Sequence, residues 1–362
     1  MATEQPITSA LVVGGCGSLG RQVVKQLLAL APTVQVSVFD LRLPNTETRA
    51  LTVEYHEVDI TSRDQVNAAL HKVQPQVIFH TASPLPTLLD LPLYLRVNVE
   101  GTRNLLESAK EAGTKAFVYT SSASVVHDSV SDLIEGDDSL PLLYMPQQRE
   151  IYSHSKALAD QLVLDSNSST MLTTSIRPSG IFGENDDGTT KSMVENAAAG
   201  KLRFTIGNGK NLFDFTFNEN VVHAHILAAQ ALLRSHVTPP PADLRVAGEG
   251  FLITNDEHIP FWDFARAIGA AAGYQTRPED IRQIPKIVGI VMAVIAEWVV
   301  WATSLGRKKS RMNVVGIRYS CMTRTYSIDK AKKVLGYKPL VNLTEAILRS
   351  GGYFNKDAKK AV

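Results

Sequence analysis

The chain of 362 residues has only two cysteines, Cys16 and Cys321, too few for a disulfide framework and consistent with a reducing compartment. Its basic and acidic residues nearly balance at a net charge of +1, so we expect no nucleic-acid partner. Hydrophobic residues make up 44% of the chain, which excludes general disorder. The first residues lack a charged segment followed by an apolar stretch, so we expect no cleaved signal peptide. No internal repeat or low-complexity stretch occurs, and the composition is that of an α/β enzyme.

Short apolar runs alternate with helical patterns through the first half of the chain. This alternation is typical of βαβ units and predicts a Rossmann-like, doubly wound parallel sheet. The predicted strands are Ala10–Val13, Val34–Asp40, Thr52–Val58, Val77–His80, Ala116–Thr120 and Leu172–Arg177, and the predicted helices are Leu19–Leu30, Asp64–Val73, Leu93–Ala112 and Tyr152–Asp165.

A glycine-rich segment lies between the first predicted strand and the helix after it. Its candidate binding residues are Gly14, Gly15, Gly17, Ser18, Leu19 and Gly20. Glycine lets backbone N–H groups approach a pyrophosphate closely, and the start of a helix adds a positive end. The strand–loop–helix context therefore predicts a dinucleotide cradle rather than an ordinary turn.

Asp40 ends the second predicted strand, twenty residues after Gly20. A carboxylate there can accept hydrogen bonds from both ribose hydroxyls and repels a 2′-phosphate, which favours NAD. The nearby guanidinium of Arg42 leaves NADP possible, and a strand-end turn residue is the structural alternative for Asp40.

Two further segments follow strands and point to the same crevice. Asp59 and Ile60 come after the third strand, where the carboxylate could bond the adenine amino group or simply cap the next helix. Thr81, Ala82 and Ser83 follow a buried strand, so we expect them to line the cofactor crevice at the carboxyl edge of the sheet.

These features predict two portions of the chain. Residues 1–183 form the expected NAD-binding Rossmann domain, to which 205–247 return. Residues 184–204 and 248–355 form a smaller substrate-binding portion, and the run Leu244–Val246 is assigned to the core.

Tyr152 and Lys156 stand four residues apart on a predicted helix. A free tyrosine is a poor base at neutral pH because its pKa is about 10, and a lysine one helical turn away can lower that pKa. Ser121 and Ser122 end the preceding strand at the same sheet edge and can hold a substrate oxygen. Together with the upstream glycines, this set predicts a nicotinamide-dependent oxidoreductase.

The histidines carry no comparable signal. His154 lies off the face shared by Tyr152 and Lys156, so we expect it to be a packing or solvated residue. His223 and His225 do not share a helix face, and no cysteine or carboxylate joins them at metal-ligand spacing, so we predict no metal site.

The late segment Ile287–Leu305 is almost wholly apolar and contains Trp298 and Trp301. As a helix it would extend about 28 Å, close to the thickness of a hydrocarbon core. Glu297 inside it disfavours full spanning, while the tryptophans favour a helix at a membrane interface. A buried helix above the substrate pocket is the third alternative. A basic cluster that suits anionic headgroups follows the segment: Arg307, Lys308, Lys309 and Arg311.

Taken together, the motifs resemble the extended short-chain dehydrogenase/reductase superfamily and, more closely, the 3β-hydroxysteroid dehydrogenase/isomerase family. Within that family the chain is most similar to the fungal sterol-4α-carboxylate 3-dehydrogenases (decarboxylating). The matching stretches are Val13–Gly20, Val38–Arg42, His80–Pro84, Val97–Thr102, Tyr119–Val125, Tyr152–Asp160, Arg177–Gly183 and Asp214–His225.

The resemblance assigns roles to individual residues. It implies that Ser122 is the catalytic serine, that Tyr152 is the base, and that Lys156 lowers the pKa of the tyrosine and binds the nicotinamide ribose. It implies a structural or proton-relay role for Asn98. Pro178 and Ser179 would lie near the nicotinamide carboxamide.

The resemblance also implies an activity and a location. The expected reaction is NAD-dependent oxidation of the 3β-hydroxyl of a sterol or triterpenoid, with decarboxylation at C4. The substrate would be lipophilic, the enzyme would lie at the cytosolic face of the endoplasmic reticulum membrane, and a homodimer is possible. If the apolar helix only covered the pocket, the location would be cytoplasmic.

The chain departs from the family pattern at Ser18, where phenylalanine is common, and at Glu184–Gly188. These departures leave the fold and redox class unchanged but keep other substrates open. The alternatives are a dehydrogenase or ketoreductase for another terpenoid or meroterpenoid without decarboxylation, a nucleotide-sugar epimerase, and a dinucleotide sensor without turnover.

Overall fold

The computed structural model describes residues 6–30, 33–45, 50, 52–88, 90–305, 310 and 312–355. Its strands are β1 (Ser9–Val13), β2 (Gln35–Asp40), β3 (Val53–Glu57), β4 (Val77–His80), β5 (Ala116–Thr120), β6 (Leu133–Gly136), β7 (Leu172–Pro178), β8 (Ile181–Phe182), β9 (Phe204–Ile206), β10 (Leu212–Asp214), β11 (Thr216–Phe217), β12 (Glu249–Ile253), β13 (His258–Pro260), β14 (Arg282–Ile284) and β15 (Arg324–Tyr326). Its α-helices are α1 (Ser18–Leu30), α2 (Arg63–Val73), α3 (Leu91–Tyr94), α4 (Gly101–Glu111), α5 (Ile151–Asp165), α6 (Thr189–Ala198), α7 (Asn218–Val237), α8 (Phe261–Ala271), α9 (Lys286–Ser304), α10 (Val314–Cys321), α11 (Asp329–Leu335) and α12 (Leu343–Tyr353).

Seven parallel strands form the central sheet in the order β12-β7-β5-β4-β1-β2-β3. The order reverses between β1 and β4, so the chain leaves these two neighbouring strands in opposite directions. A crevice opens at the carboxyl ends of the strands at such a switch point, where doubly wound sheets bind their ligands. The predicted Rossmann-like fold is confirmed.

Helices cover both faces of this sheet because alternate strand residues point to opposite sides. One face packs Val12 and Phe79 against α1, α7 and α11. The other face packs Val13 and Phe117 against α2, α4 and α5. Both layers are apolar and fully buried, as expected for a parallel sheet covered on both sides.

A second, smaller core lies in the later part of the chain. Its aromatic centre contains Phe182, Phe213, Phe215 and Phe264, and the rings of Phe215 and Phe264 stack at a centroid distance of 3.6 Å. Around it lie α6, α8 and α12, the sheet β13-β10-β15-β6 and the strand pairs β11-β8 and β14-β9.

The seventh strand of the central sheet differs from the expectation. We assigned residues from 248 onward to the substrate-binding portion, but β12 pairs in parallel with β7. In the expected core run Leu244–Val246, Leu244 ends a 3-10 turn that begins at Ala242, and Val246 is buried in the core. The strand was missed because it begins with Glu249 and Gly250. A Cβ at Gly250 would collide with the guanidinium of Arg177, so the fold requires a residue with low strand propensity there.

The long helix predicted over Leu93–Ala112 is also interrupted. Between α3 and α4 the residues Leu95–Glu100 form a π-helical turn. Such turns are rare and often occur at functional sites, because they reorient side chains without ending the helix.

Candidate active site

The glycine loop between β1 and α1 has the shape of a phosphate cradle. Gly14 has a φ of +80°, and a Cβ there would lie 2.7 Å from the backbone of Ala82. A Cβ on Gly20 would collide with the carbonyl oxygen of Gly14. The first turn of α1 has no acidic residue. No carboxylate in that turn therefore offsets the positive end of the helix dipole, which faces the loop. These features fit a pyrophosphate.

The remaining residues of the loop support this conformation. Gly15 lies against Val38 on β2, where a side chain would not fit. The amide of Gly17 donates to the carbonyl oxygen of Gly14 at 3.0 Å, which closes the turn before Ser18. Leu19 packs against the core below the loop.

The Asp40 carboxylate lies at the edge of this loop. Its Oδ2 atom accepts from the backbone amide of Cys16 at 3.0 Å, and its Oδ1 atom accepts from the amide of Arg42 at 3.2 Å. The Arg42 side chain is exposed. Asp40 thus connects the end of β2 with the glycine loop, where a cofactor ribose could reach its remaining lone pairs.

Asp59 and Ile60 have local roles in the structure. The Asp59 Oδ1 atom accepts from the amide and the hydroxyl of Thr61 at 2.9 and 2.8 Å, and this closes the turn before Ser62, the N-cap residue of α2. Ile60 is buried, and a Cβ on Gly101 would lie 2.8 Å from its side chain. Neither contact tests the predicted adenine bond.

The segment after β4 crosses the glycine loop and reaches the candidate catalytic tyrosine. The Thr81 hydroxyl donates to the carbonyl oxygen of Val13 at 2.8 Å. Ala82 lies against Gly14, as the cradle geometry above requires. Ser83 is exposed and its side chain hydrogen-bonds the Tyr152 phenol. The segment therefore touches both the predicted cofactor cradle and the predicted base.

Tyr152 lies in the first turn of α5, beneath the ring of Tyr94. The two ring centroids are 5.5 Å apart and the rings meet edge to face. Burial raises the pKa of Tyr152 to about 12, while the Ser83 hydrogen bond acts in the opposite direction. With these protein groups alone, the phenol remains protonated at neutral pH.

Lys156 lies one turn later on α5 and is 2% exposed. Its Nζ atom donates to the carbonyl oxygen of Thr120 at 2.5 Å and lies 4.2 Å from the centroid of the Tyr119 ring. Burial lowers the pKa of Lys156 to about 7, and the Asp160 carboxylate opposes this shift.

The pKa of Tyr152 differs from our expectation that Lys156 would lower it. The reason is that burial removes the phenolate from water, and the neighbouring Tyr94 raises the pKa further.

Ser122 follows β5 and begins a 3-10 turn. Its Oγ atom accepts from the amide of Ser124 at 3.2 Å and lies 2.8 Å from the Ser124 Oγ atom. The Ser124 Oγ atom in turn accepts from the Ser153 hydroxyl at 2.9 Å. The loop that carries Ser122 is thus joined by hydroxyl groups to the helix that carries Tyr152.

Asn98 supports the same helix from the π-helical turn. Its side-chain amide donates to the Ser155 hydroxyl at 2.9 Å, and this hydroxyl donates to the backbone carbonyl of Tyr152 at 2.7 Å. Asn98 is buried, so water does not compete for this contact. The structure places it behind α5, where it orients the backbone at Tyr152.

Pro178 and Ser179 lie at the end of β7 and are buried. The Ser179 hydroxyl donates to the carbonyl oxygen of Asp214 at 2.9 Å, and its amide donates to the carbonyl oxygen of Ile253 at 3.1 Å. The side chain of Ser179 thus connects the central sheet with β10.

Tyr94 also lies at this site and was not predicted from the sequence. Its hydroxyl donates to the carbonyl oxygen of Leu85 at 2.6 Å and accepts from the amide of Leu88 at 3.2 Å. This holds the segment after Ser83, while the ring packs on Tyr152. The spacing between Tyr94 and Asn98 could have indicated a shared helical face.

Two histidines near the site have structural contacts. The Nδ1 atom of His154 accepts from the amide of Met145 at 3.2 Å. His225 is fully buried, and burial lowers its pKa to about 4, so it is neutral at physiological pH. Its Nδ1–H donates to the carbonyl oxygen of Val221 at 2.8 Å, and its Nε2 atom accepts from the Thr120 hydroxyl at 2.7 Å. His225 thereby holds Thr120, whose backbone carbonyl accepts the hydrogen bond from Lys156.

The apolar helix α9 lies on the surface. It is long and apolar enough to cross a membrane, yet only Gly289 and Ala293 are buried among its residues. Trp298 and Trp301 are 65% and 59% exposed. The alternative of a buried helix above the pocket is therefore wrong. The basic cluster that follows, Arg307, Lys308, Lys309 and Arg311, lies outside the described residues.

Comparison with known sequences assigns the family. Residues 11–282 match the sequence model of the 3-beta hydroxysteroid dehydrogenase/isomerase family. The chain belongs to this family. It is an oxidoreductase that acts on CH–OH donors, as the sequence predicted.

Three relatives carry the same name, sterol-4-alpha-carboxylate 3-dehydrogenase, decarboxylating. The Schizosaccharomyces pombe protein is 36% identical over 360 residues, covering 98% of this chain and 99% of the relative. The Saccharomyces cerevisiae protein is 35% identical, with coverages of 94% and 96%. The human protein is 38% identical, with coverages of 94% and 86%. The predicted resemblance is confirmed.

Solved structures show the same fold at low sequence identity. The Thermus thermophilus UDP-glucose 4-epimerase complex with NAD has a TM-score of 0.70 and 20% identity, and covers 96% of this chain and 99% of its own. The Bacillus anthracis dTDP-glucose 4,6-dehydratase complex with NAD has a TM-score of 0.69 and 19% identity, with coverages of 97% and 98%. Three features of this chain fit a dinucleotide. They are the glycine loop, which has no room for side chains, the start of α1, which has no acidic residue in its first turn, and the Asp40 carboxylate.

Proposed function

We propose that the protein oxidises the 3β-hydroxyl of a 4α-carboxysterol to the 3-ketone with NAD as cofactor, and that the C4 carboxyl group leaves as CO2. The observation that carries this proposal is the nearly full-length likeness to sterol-4-alpha-carboxylate 3-dehydrogenases. The residues at the carboxyl edge of the sheet support it, because Ser122, Tyr152 and Lys156 offer the donor, base and cation that alcohol oxidation needs.

Several residues would hold the cofactor. The glycine loop would bind the pyrophosphate, Asp40 a ribose, and Lys156 the second ribose. When bound, NAD supplies the hydride acceptor and a positive charge that favours ionisation of Tyr152. The pKa of about 7 leaves Lys156 partly charged at neutral pH, so it can donate to a hydroxyl and still respond to its surroundings.

In the proposed oxidation, Tyr152 accepts the proton of the 3-hydroxyl while Ser122 donates a hydrogen bond to the same oxygen. The Ser83 hydrogen bond holds the phenol in place and stabilises its ionised form. As the carbonyl forms, both hydroxyl groups can donate to its oxygen.

Decarboxylation follows from the chemistry of the product. Oxidation at C3 beside a C4 carboxylate gives a β-keto acid. The bond between C4 and the carboxyl carbon breaks, CO2 leaves, and the electron pair enters the C3–C4 bond as an enolate. The donors that hold the ketone oxygen stabilise this enolate, and C4 then takes up a proton. The step needs no additional oxidant.

A lipophilic substrate suits the exposed helix α9. We infer that α9 rests in the cytosolic interface of the endoplasmic reticulum membrane, with Trp298 and Trp301 among the lipid headgroups. The Glu297 carboxylate accepts from the amide of Val314 at 3.0 Å, so it is held at the start of α10. This contact ties the helix to the protein body and favours the interfacial over the spanning arrangement.

The test uses full-length protein in detergent with NAD and a 4α-carboxy-3β-hydroxysterol, following NADH and product mass. We expect NADH formation with loss of CO2, abolished in Tyr152→Phe and retained in Tyr144→Phe. Tyr144 is a suitable control because its hydroxyl donates to the side chain of the exposed Gln161 at 3.4 Å. NADH formation on a sterol without the carboxyl group, and none on the carboxysterol, would contradict the decarboxylating assignment.

A further inference from the structure

Three serine hydroxyls form a chain from the start of α5 to the candidate catalytic serine. The Ser153 hydroxyl donates to the Ser124 Oγ atom at 2.9 Å, and this atom lies 2.8 Å from the Ser122 Oγ atom. The backbone amide of Ser124 also donates to the Ser122 Oγ atom at 3.2 Å. Ser153 directly follows Tyr152, so the chain links the two groups expected to hold the substrate oxygen.

The partners of the buried Ser124 hydroxyl favour one direction for this series of hydrogen bonds. Each serine hydroxyl has one hydrogen to donate. Ser153 uses its hydrogen on Ser124. If Ser122 also donated to Ser124, the hydrogen of the buried Ser124 hydroxyl would have no acceptor among the hydrogen bonds of the described residues, so we assign that hydrogen to the Ser122 Oγ atom. The Ser122 Oγ atom then accepts from both the amide and the hydroxyl of Ser124. Its own hydrogen has no place within the chain and points away from Ser124.

We propose that Ser124 and Ser153 are positioning residues, which hold the Ser122 hydroxyl as a hydrogen-bond donor to the reacting 3-oxygen of the substrate. This inference rests on the proposed function, in which Ser122 holds that oxygen. Neither Ser124 nor Ser153 touches the substrate in this account. They act through Ser122.

Buried neighbours hold this series of serine hydroxyls rigidly. Ser124 and Ser153 are buried, so bulk water cannot readily replace either partner. The side chain of Gln148, also fully buried, donates to the carbonyl oxygen of Ser124 at 3.0 Å. Its Oε1 atom accepts from the amide of Glu150 at 2.9 Å, immediately before α5. The Ser124 backbone is thus held from the same segment that carries Tyr152.

The direction of the Ser122 hydrogen matters for the chemistry. When Tyr152 takes the substrate proton, negative charge develops on the 3-oxygen, and a donor aimed at it stabilises that charge. If the Ser122 hydrogen turned toward Ser124, a lone pair would face the oxygen and repel it. The hydrogen bonds from Ser153 to Ser124 and from Ser124 to Ser122 disfavour this second arrangement, although neither Ser124 nor Ser153 takes part in the reaction itself.

The test compares side chains of equal shape. Threonine and valine differ only by a hydroxyl and a methyl group, so Ser124→Val and Ser124→Thr introduce nearly the same volume. We expect kcat of the valine variant to be about five- to tenfold below that of the threonine variant, the effect of one lost hydrogen bond. NAD affinity should be the same in both. The pair Ser153→Val and Ser153→Thr should differ in the same direction.

A double variant separates positioning from general damage. If Ser124 acts through Ser122, adding Ser124→Val to Ser122→Ala should lower kcat by less than about twofold beyond Ser122→Ala alone. Independent losses that multiply in the double variant would overturn the proposal. So would equal kcat values for the valine and threonine variants at both positions.

Neutron diffraction of deuterium-exchanged crystals tests the hydrogen positions without a substrate. The expected map places the Ser124 deuterium toward the Ser122 Oγ atom and the Ser122 deuterium away from it. The reverse orientation would overturn the proposal, whatever the enzyme oxidises. A wild-type protein that oxidises no 3β-hydroxysterol would instead contradict the proposed function, and the neutron map would still decide the hydroxyl chain.

Discussion

The Arg177 guanidinium donates to both carboxylate oxygens of Asp160, with Nε–Oδ2 and Nη2–Oδ1 distances of 3.0 and 2.8 Å. Both side chains are almost completely buried, so this ion pair joins β7 to α5 inside the protein. A bidentate pair in such surroundings fixes orientation as well as position. It keeps the helix that carries Tyr152 and Lys156 against the sheet.

Breaking this pair should destabilise the fold strongly. Asp160→Asn leaves a buried guanidinium without its counter-charge, which costs about 3–5 kcal/mol in the free energy of unfolding. Urea denaturation measures the change. The matched control is Asp187→Asn, which breaks the exposed pair with Lys191 and should leave the free energy of unfolding nearly unchanged. Similar losses in both variants would contradict the structural role of the buried pair.

Asp40 should set cofactor affinity and choice. Asp40→Asn keeps an oxygen that can accept from the Cys16 amide but removes the charge that favours ribose hydroxyls and repels a 2′-phosphate. We expect NAD to bind roughly tenfold more weakly, and the affinity for NADP to rise relative to the affinity for NAD. Binding titrations with both cofactors measure the ratio. Glu57→Gln, on the exposed residue paired with Asp40 across the sheet, should leave the ratio unchanged.

His225 should make the protein acid-sensitive. Burial lowers its pKa from 6.5 to about 4, so between these values the unfolded chain binds more protons than the folded one. The contribution of neutral His225 to the free energy of unfolding is present in full above pH 6.5. It is lost as the pH falls toward 4, by about 3 kcal/mol in all.

The variant His225→Gln tests this sign. Its unfolding free energy should fall less than that of the wild type between pH 7 and pH 4, so the difference between the two proteins should shrink with acidification. His236→Gln, on the exposed end of the same helix, serves as the control. A constant difference across this pH range would show that His225 does not titrate as its burial requires.

The exposed tryptophans of α9 should control membrane binding. Trp298→Ala and Trp301→Ala each remove a large amphipathic ring, and we expect roughly tenfold weaker partitioning onto vesicles with endoplasmic-reticulum-like lipids. Sedimentation with vesicles measures the bound fraction. Leu348→Ala changes an equally exposed apolar residue on α12 and should leave binding unaltered. Unchanged binding in both tryptophan variants would contradict an interfacial role for the helix.

The sequence predicted the strands and glycines well because both are local signals. An apolar run followed by Gly14 and Gly20 constrains the backbone directly, and Val77–His80 was predicted with its exact bounds. The π-helical turn before Gly101 was missed because helical periodicity continues through it. The strand β12 was missed because the guanidinium of Arg177, distant in sequence, requires Gly250 in it.

The candidate site was predicted by residue type but not by environment. Burial raises the pKa of Tyr152 and the Ser83 hydrogen bond opposes this rise, and no spacing rule connects the Ser83 segment to Tyr152. The hydroxyl chain through Ser124 and Ser153 is likewise a tertiary contact. The roles of the site residues and a homodimer stay predictions.

One isotope experiment tests the central claim most directly. The substrate is a 4α-carboxy-3β-hydroxysterol that carries deuterium at C3 and a labelled carbon in the carboxyl group, incubated with NAD and wild-type protein or Tyr152→Phe. The account predicts deuterium in the reduced cofactor and labelled CO2 in equal amounts from the wild type, and neither from the variant. Deuterated cofactor without labelled CO2, or labelled CO2 without transfer of deuterium, would contradict it.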